Sequence, residues 1–123
     1  MKKNIIIVDD DKGILTLLRF VLDKEYNIQV ATNGATALQQ LDESHTHPDL
    51  IISDLNMPYL NGQSFINQLR ISGFYRNIPI LVLSAKENLA EDLKQMPFTV
   101  EGFIQKPFNP ADLKKMISTI LAG

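Results

Sequence analysis

Hydrophobic residues along the chain fall into short apolar runs that alternate with longer amphipathic stretches. Each run is too short for a helix, and most are rich in β-branched residues, which is typical of strands in a parallel sheet. Residues 26–31 instead alternate between apolar and polar positions, as a strand also does. The predicted strands span residues 5–8, 26–31, 50–52, 78–83 and 103–104.

The amphipathic stretches carry apolar residues at the spacing of one helix face, which predicts a helix after each strand. Asp11, Asn33 and Asn109 are suitable N-caps, and Asn61-Gly62 is expected to form a turn. Strands that alternate with helices predict an α/β fold, a (βα)5 doubly wound five-stranded parallel sheet with helices on both faces. The helices are expected at about residues 12–22, 34–41, 62–71, 87–95 and 110–123.

Composition agrees with one globular domain over residues 1–123. Hydrophobic residues make up 45% of the chain, which is ordinary for a protein with a packed core. Twelve basic and fourteen acidic residues give a net charge of -2 without a basic stripe, so direct nucleic-acid binding is not expected. The first apolar run is too short for a signal peptide or membrane span, and cysteine is absent. We therefore expect a cytoplasmic protein without a membrane partner.

Charged and hydroxyl-bearing residues follow four of the predicted strands. An acidic run at residues 9–11 comes after the first strand, Asp54 after the third, Ser84 after the fourth and Lys106 after the fifth. The carboxyl ends of parallel strands lie at one edge of the sheet, where such folds bind ligands. We therefore expect these side chains to meet.

The chemistry of this set points to phosphate and a divalent cation. Asp9 and Asp10 have no capping role, so an acidic pair at the end of a buried strand favours a cation site over solvated loop acids. With Asp54 they form an oxygen-only cluster of the kind that Mg²⁺ prefers. Lys106 and Ser84 supply a positive charge and a hydroxyl for phosphate oxygens. These are the groups needed for phosphoryl transfer to a carboxylate.

Over essentially its whole length the chain resembles the receiver domain of two-component response regulators. Each matching motif is weak alone, but the four in order and at the expected spacing are highly specific. The motifs are Asp9-Asp10, Asp54-Leu55-Asn56-Met57-Pro58 followed by Gly62, Ser84-Ala85, and Lys106-Pro107-Phe108. The resemblance implies the flavodoxin-like strand order 2-1-3-4-5 and a cis peptide bond before Pro107.

The resemblance also implies roles for the acidic residues. Asp54 would accept a phosphoryl group from the phosphohistidine of a sensor histidine kinase or phosphotransfer protein, or from a small phosphodonor such as acetyl phosphate. Asp10, Asp54 and the backbone carbonyl of Asn56 would bind Mg²⁺ directly, and Asp9 would act through a bound water. Such a domain accepts a phosphoryl group and promotes its own phosphorylation and dephosphorylation, and it is not expected to be an enzyme beyond that.

Other residues would carry the response to phosphorylation. Lys106 would pair with the phosphoryl group, Ser84 would move to hydrogen-bond it, and Phe103 would then turn inward. The face formed by the fourth helix, fifth strand and fifth helix would bind a downstream effector or output domain. Asn56 and Lys86, each two residues past a site residue, would tune the phosphoryl lifetime, and Lys86 could either attract or obstruct the hydrolytic water.

The chain departs from the usual receiver pattern at two places. Phe103 stands where tyrosine is commoner, so its ring can report burial but cannot donate a hydroxyl hydrogen bond. Residues 96–101 lack the small Gly-Ala turn usual before the fifth strand. The partner-binding face is therefore expected to have an individual shape.

Two other classes of protein compete with the receiver interpretation. In a small haloacid dehalogenase-like phosphatase, Asp9 would be the nucleophile and Asp11 the acid, but the chain is short for that class and Asp54 would have no role. A flavodoxin-like cofactor binder needs a phosphate-cradling loop after the first strand, where this chain is acidic. His45 and His47 complete no metal-site spacing, so a solvated loop is expected there.

Overall fold

The computed structural model describes residues 2–44, 47–55 and 61–123. Strands and helices alternate along these residues, which confirms the predicted α/β pattern. The strands are β1 (Lys3–Val8), β2 (Tyr26–Ala31), β3 (Leu50–Ser53), β4 (Ile80–Ser84) and β5 (Gly102–Gln105). The helices are α1 (Lys12–Leu22), α2 (Gly34–Ser44), α3 (Gly62–Ile71), α4 (Leu89–Lys94) and α5 (Pro110–Ala122). None of these helices has both the length and the apolar character needed to cross a bilayer.

The strands form one parallel sheet in the order β2-β1-β3-β4-β5, which confirms the doubly wound architecture and the expected strand order. β1 is paired on both sides, and its last residue, Val8, lies beside Ala31 of β2 and Ser53 of β3. At the other side of the sheet Ser84 of β4 pairs with Gln105 of β5. The strands therefore end close to one another along a single edge.

Alternate residues of the strands enter two separate hydrophobic cores. Ile6 and Val8 of β1 pack in the core that contains residues of α2 and α3. Ile5 and Ile7 pack in the core that contains residues of α1 and α5. This alternation follows from the two-residue repeat of a strand, and it explains why β1 and β3 consist of nearly continuous apolar residues.

The predicted capping residues occupy the positions expected of them. The side chains of Asp11, Asn33 and Asn109 each accept a backbone N–H from the first turn of α1, α2 and α5, respectively. Asn61, expected to open a turn, is instead the N-cap of α3, and Gly62 is the first residue of that helix. The short cap-forming side chains thus set where these helices begin.

The sequence-based bounds are wrong mainly around β4 and α4. β4 begins at Ile80 because Pro79 has no N–H for the ladder, although its carbonyl accepts a hydrogen bond from Ile51. α4 has only six residues, and the side chain of Asn88 makes no capping hydrogen bond. After α4, Phe98 is buried in the α2–α3 core and anchors the segment that lacks the usual small turn.

A group of charged and backbone atoms joins α3 to the beginnings of β4 and β5. The guanidinium of Arg70 donates to three backbone carbonyls at 2.7 to 3.0 Å and to Glu101 Oε1 at 2.8 Å. Glu101 Oε1 also accepts the backbone N–H of Ile80 at 2.6 Å. We call this the Arg70 network, which consists of Arg70, Glu101, the N–H of Ile80 and the carbonyls of Arg76, Ile78 and Thr99.

Candidate functional site

Backbone hydrogen bonds extend the sheet one residue past its strands and fix the site residues. The N–H of Asp9 donates to a β2 carbonyl at 3.1 Å, and the N–H of Asp54 donates to a β1 carbonyl at 3.0 Å. The N–H of Lys106 donates to the carbonyl of Ser84 at 2.7 Å. Each side chain therefore begins from a backbone position set by a neighbouring strand.

The acidic side chains predicted to meet do so at this edge of the sheet. Carboxylate oxygens of Asp9, Asp10 and Asp54 all lie within 4.8 Å of one another. Together with Lys106 they form what we call the carboxylate pocket. The three acids come from two loops that lie 45 residues apart in the chain, so the topology of the sheet brings them together.

Lys106 lies between two of these carboxylates. Its Nζ is 2.7 Å from Asp9 Oδ2 and 3.3 Å from Asp54 Oδ2. The side chains are 14%, 2% and 11% exposed for Lys106, Asp9 and Asp54, respectively. This shielding from water strengthens the attraction and leaves the Asp54 carboxylate with a small accessible surface.

The pocket holds more negative charge than Lys106 neutralises. Burial raises the pKa of Asp9, although hydrogen bonds from Lys106 and from the Asp11 N–H act in the opposite direction. Burial alone would lower the pKa of Lys106, but its hydrogen bond to Asp9 and the charges of Asp9 and Asp54 outweigh burial and raise it. Lys106 is therefore charged at neutral pH, while ionised Asp9 remains poorly compensated.

Close packing against α3 fixes the backbone at Asp54. A Cβ on Gly62 would lie 2.6 Å from both the carbonyl carbon of Asp54 and the Cα of Leu55, and it would overlap the carbonyl oxygen of Asp54. Only glycine permits this approach of the helix to the end of β3. The Gly62 that follows the aspartate in the sequence motif thus has a steric role.

Beyond the end of β4, Lys86 forms an ion pair that is more exposed than the contacts of Lys106. Ser84 is buried, and its Oγ accepts the backbone N–H of Lys86 at 3.3 Å. The Nζ of Lys86 lies 3.6 Å from Oδ2 of Asp92 on α4. On β5, Phe103 is 42% exposed, so it does not pack in the core as a phenylalanine of a short apolar run more often does.

Several sequence predictions fall elsewhere. Asn56, expected to offer a backbone carbonyl to Mg²⁺ and to tune the phosphoryl lifetime, lies outside the described residues, as does His45. His47 is exposed and its ring packs edge-on against Phe74, with the ring centres 4.4 Å apart. The peptide bond between Lys106 and Pro107 is cis, as predicted.

The ion pair between Lys86 and Asp92 is not among the sequence predictions. Asp92 lies six positions after Lys86, and Lys86 precedes α4 whereas Asp92 lies within it, so no helical spacing signals their pairing. The only sequence signal is that Asp92 and Glu91 place negative charge in the first turn of α4. That signal explains an acid at the helix start but does not identify its partner.

The arrangement of these residues is that of a known protein family. The family model described as the response regulator receiver domain matches residues 5–118. The chain belongs to that family. Its relatives include two different kinds of protein. The chain is 31% identical to part of the sensor histidine kinase TmoS of Ectopseudomonas mendocina and 32% identical to part of the regulatory protein PhoP of Bacillus subtilis.

These matches cover nearly all of this receiver but not the whole of its relatives. The aligned region is 96% of this chain and 12% of TmoS, and 98% of this chain and 49% of PhoP, which is an alkaline phosphatase synthesis transcriptional regulatory protein. The receiver therefore spans half or less of those proteins. Among solved structures, the chemotaxis response regulator CheY4 of Vibrio cholerae is 29% identical with a TM-score of 0.83, over 98% of this chain and 99% of that one.

Proposed function

We propose that this receiver accepts a phosphoryl group on Asp54 in an Mg²⁺-dependent reaction and acts as a switch in two-component signalling. The observation that carries the proposal is the position of the Lys106 ammonium, which lies between the carboxylates of Asp9 and Asp54 at the carboxyl edge of the sheet. A cation held there can also contact phosphoryl oxygens on Asp54. The donor would be the phosphohistidine of a sensor histidine kinase or phosphotransfer protein, or a small phosphodonor.

The reaction is a simple displacement at phosphorus. A carboxylate oxygen of Asp54 forms a bond to phosphorus as the bond from phosphorus to the donor nitrogen breaks, and the imidazole leaves with its electron pair. Negative charge is then spread over the three phosphoryl oxygens. Lys106 supplies positive charge beside them without proton transfer, because its raised pKa keeps it protonated.

The acidic residues fit a magnesium site. Asp9, Asp10 and Asp54 offer only oxygen ligands, and their excess negative charge needs a cation besides Lys106. Asp10 and Asp54 would hold the ion directly, with Asp9 acting through water and Asn56 through its carbonyl. When bound, Mg²⁺ would neutralise charge on the phosphoryl oxygens.

Phosphorylation would be read out through Ser84 and Phe103. Ser84 lies at the end of β4, the strand next to the one that Asp54 follows, and its hydroxyl would move to hydrogen-bond the phosphoryl group. Phe103 is 42% exposed, and its ring would turn inward when Ser84 moves. The face of α4, β5 and α5 would then bind an effector or output domain. This would take place in the cytoplasm, a reducing compartment with which a chain without cysteine is compatible.

Labelling with acetyl phosphate tests the assignment. Asp54→Asn is expected to abolish Mg²⁺-dependent labelling while circular dichroism shows an intact fold, and Asp112→Asn, which removes an exposed acid of α5, should label like the parent protein. Peptide mapping of the parent protein should place the label on Asp54. Label on Asp9 would instead support the phosphatase alternative, although the Asp11 carboxylate needed there as an acid is used as the α1 cap.

Replacement of Lys106 tests the switch. Lys106→Met should leave Asp54 able to accept a phosphoryl group but uncouple phosphorylation from partner binding. The variant lacks the ammonium that would pair with the phosphoryl group and so pass its presence on to the rest of the domain. The measurement is partner affinity with and without phosphodonor. An unchanged response to phosphodonor would contradict the proposed role.

A further inference from the structure

We propose that Asp92 on α4 is a positioning residue that restrains the Lys86 ammonium and thereby shortens the lifetime of the phosphoryl group on Asp54. The proposal rests on the proposed function, because it concerns hydrolysis of the same acyl phosphate. It adds a residue outside the carboxylate pocket to the control of that reaction.

The observed contacts hold both ends of Lys86. Its backbone N–H donates to Ser84 Oγ at 3.3 Å, and its Nζ lies 3.6 Å from Asp92 Oδ2. The Lys86 and Asp92 side chains are 34% and 36% exposed, so the ion pair is partly screened by water and can open. The ammonium is therefore directed to α4 by an interaction of modest strength.

Lys86 follows a strand that adjoins the one carrying Asp54. β3 and β4 are paired neighbours, with Ser53 beside Val82, and neighbouring strands lie about 4.8 Å apart. A lysine side chain two residues past Ser84 is long and flexible enough to turn from α4 towards the end of β3. Asp92 and a phosphoryl group on Asp54 would thus compete for one ammonium.

The chemistry of lysine decides the direction of the effect. In hydrolysis, a water oxygen bonds to phosphorus, the bond from phosphorus to the Asp54 oxygen breaks, and the products are inorganic phosphate and the Asp54 carboxylate, with the water proton passing to solvent. An ammonium only donates hydrogen bonds, so it cannot deprotonate that water. Paired with the phosphoryl oxygens, it would stabilise the phosphorylated state and occupy space on the approach of water. Release of Lys86 from Asp92 should therefore slow hydrolysis.

The test is the rate at which label is lost from the phosphorylated protein after the phosphodonor is removed. Asp92→Asn is expected to slow this loss about two- to fivefold, because a partly exposed ion pair shifts a population by no more than that. Asp92→Glu, which keeps the charge, should restore a rate near that of the parent protein. Glu91→Gln is the matched control, since it removes another first-turn acid of α4 that pairs with Lys94 and not with Lys86.

A double-mutant cycle shows whether Asp92 acts through Lys86. In a Lys86→Met background, the Asp92→Asn change should leave the rate unchanged. Faster loss in Asp92→Asn, an equal effect in the presence and absence of Lys86, or the same slowing in Glu91→Gln would overturn the proposal. Failure of the proposed function would look different, because no variant would then acquire label on Asp54 at all.

Discussion

The carboxylate pocket and the Arg70 network lie at opposite edges of the same sheet, and each holds a long cationic side chain against an acid. In the Arg70 network one guanidinium meets one carboxylate and also donates to three backbone carbonyls. The carboxylate pocket contains three carboxylates and one ammonium, which contacts two of them. Charge is balanced at one end of the sheet and in excess at the other.

This difference separates a structural role from a functional one. Matched donors and acceptors around Arg70 stabilise the junction of α3, β4 and β5, and nothing further is needed there. The raised pKa of Asp9 shows that the carboxylate pocket instead disfavours its own ionised state. A site of that kind gains stability when positive charge is added, as the proposed binding of Mg²⁺ would do.

Among these variants Gly62→Ala is expected to lower the free energy of unfolding most. It tests whether close packing of α3 on the end of β3 holds the carboxylate pocket together despite its excess negative charge. The added Cβ would collide with the backbone of Asp54 and Leu55, which cannot rotate away as a side chain can. We expect a loss of about 3 kcal/mol in the free energy of unfolding, at the upper end of overpacking effects. Urea denaturation measures it, with Gly73→Ala as the control because a Cβ at Gly73 meets nothing within 4 Å.

Arg70→Met comes next and tests the balanced end. The methionine keeps much of the apolar stem but removes the guanidinium donors to Glu101 and to three backbone carbonyls, so we expect a loss of about 2 kcal/mol in the free energy of unfolding. Arg76→Met is the matched control, since Arg76 is exposed and contributes only its carbonyl to the network. Equal urea midpoints for the two variants would contradict the structural role of the Arg70 network.

Asp9→Asn should have a smaller effect of the opposite sign. The amide has nearly the same shape but carries no charge, so the metal-free protein should become more stable by an amount on the order of 1 kcal/mol. The measurement is urea denaturation in the presence of a chelator. A loss of stability comparable to that of Arg70→Met would contradict the excess of negative charge that we assign to the carboxylate pocket.

The pH dependence of that gain is the most sensitive test. Because the pKa of Asp9 is raised in the folded protein, its ionisation costs stability as pH rises through the folded value. The parent protein and Asp9→Asn should therefore have equal stability below about pH 4, where Asp9 is protonated in both states, and should diverge at higher pH. Asp112→Asn, at an exposed position of α5, serves as the control variant.

Sequence reasoning found the parts of the site that depend on the order of the strands. Apolar runs and capping residues predicted the elements, and residues that directly follow parallel strands must share one edge. Asp9, Asp54 and Lys106 therefore converge as predicted.

Contacts that depend on tertiary packing could not be predicted in this way. Arg70 and Glu101 are 31 residues apart, and Lys86, which precedes α4, meets Asp92 within that helix. The exposure of Phe103 follows from its place on β5, which is an edge strand covered less completely than its neighbours. Its sequence context gave no sign of this, since a short apolar run fits a buried strand equally well.

The exposed ring of Phe103 also has a practical consequence. The chain contains no tryptophan, so Phe103→Trp would introduce a single indole at a position that is 42% exposed in the parent protein. Emission from that indole would come from one known place and would shift to shorter wavelength if water were excluded from it. Fluorescence of the Phe103→Trp variant would therefore report on the surroundings of this one position of β5, because these 123 residues contain no other indole.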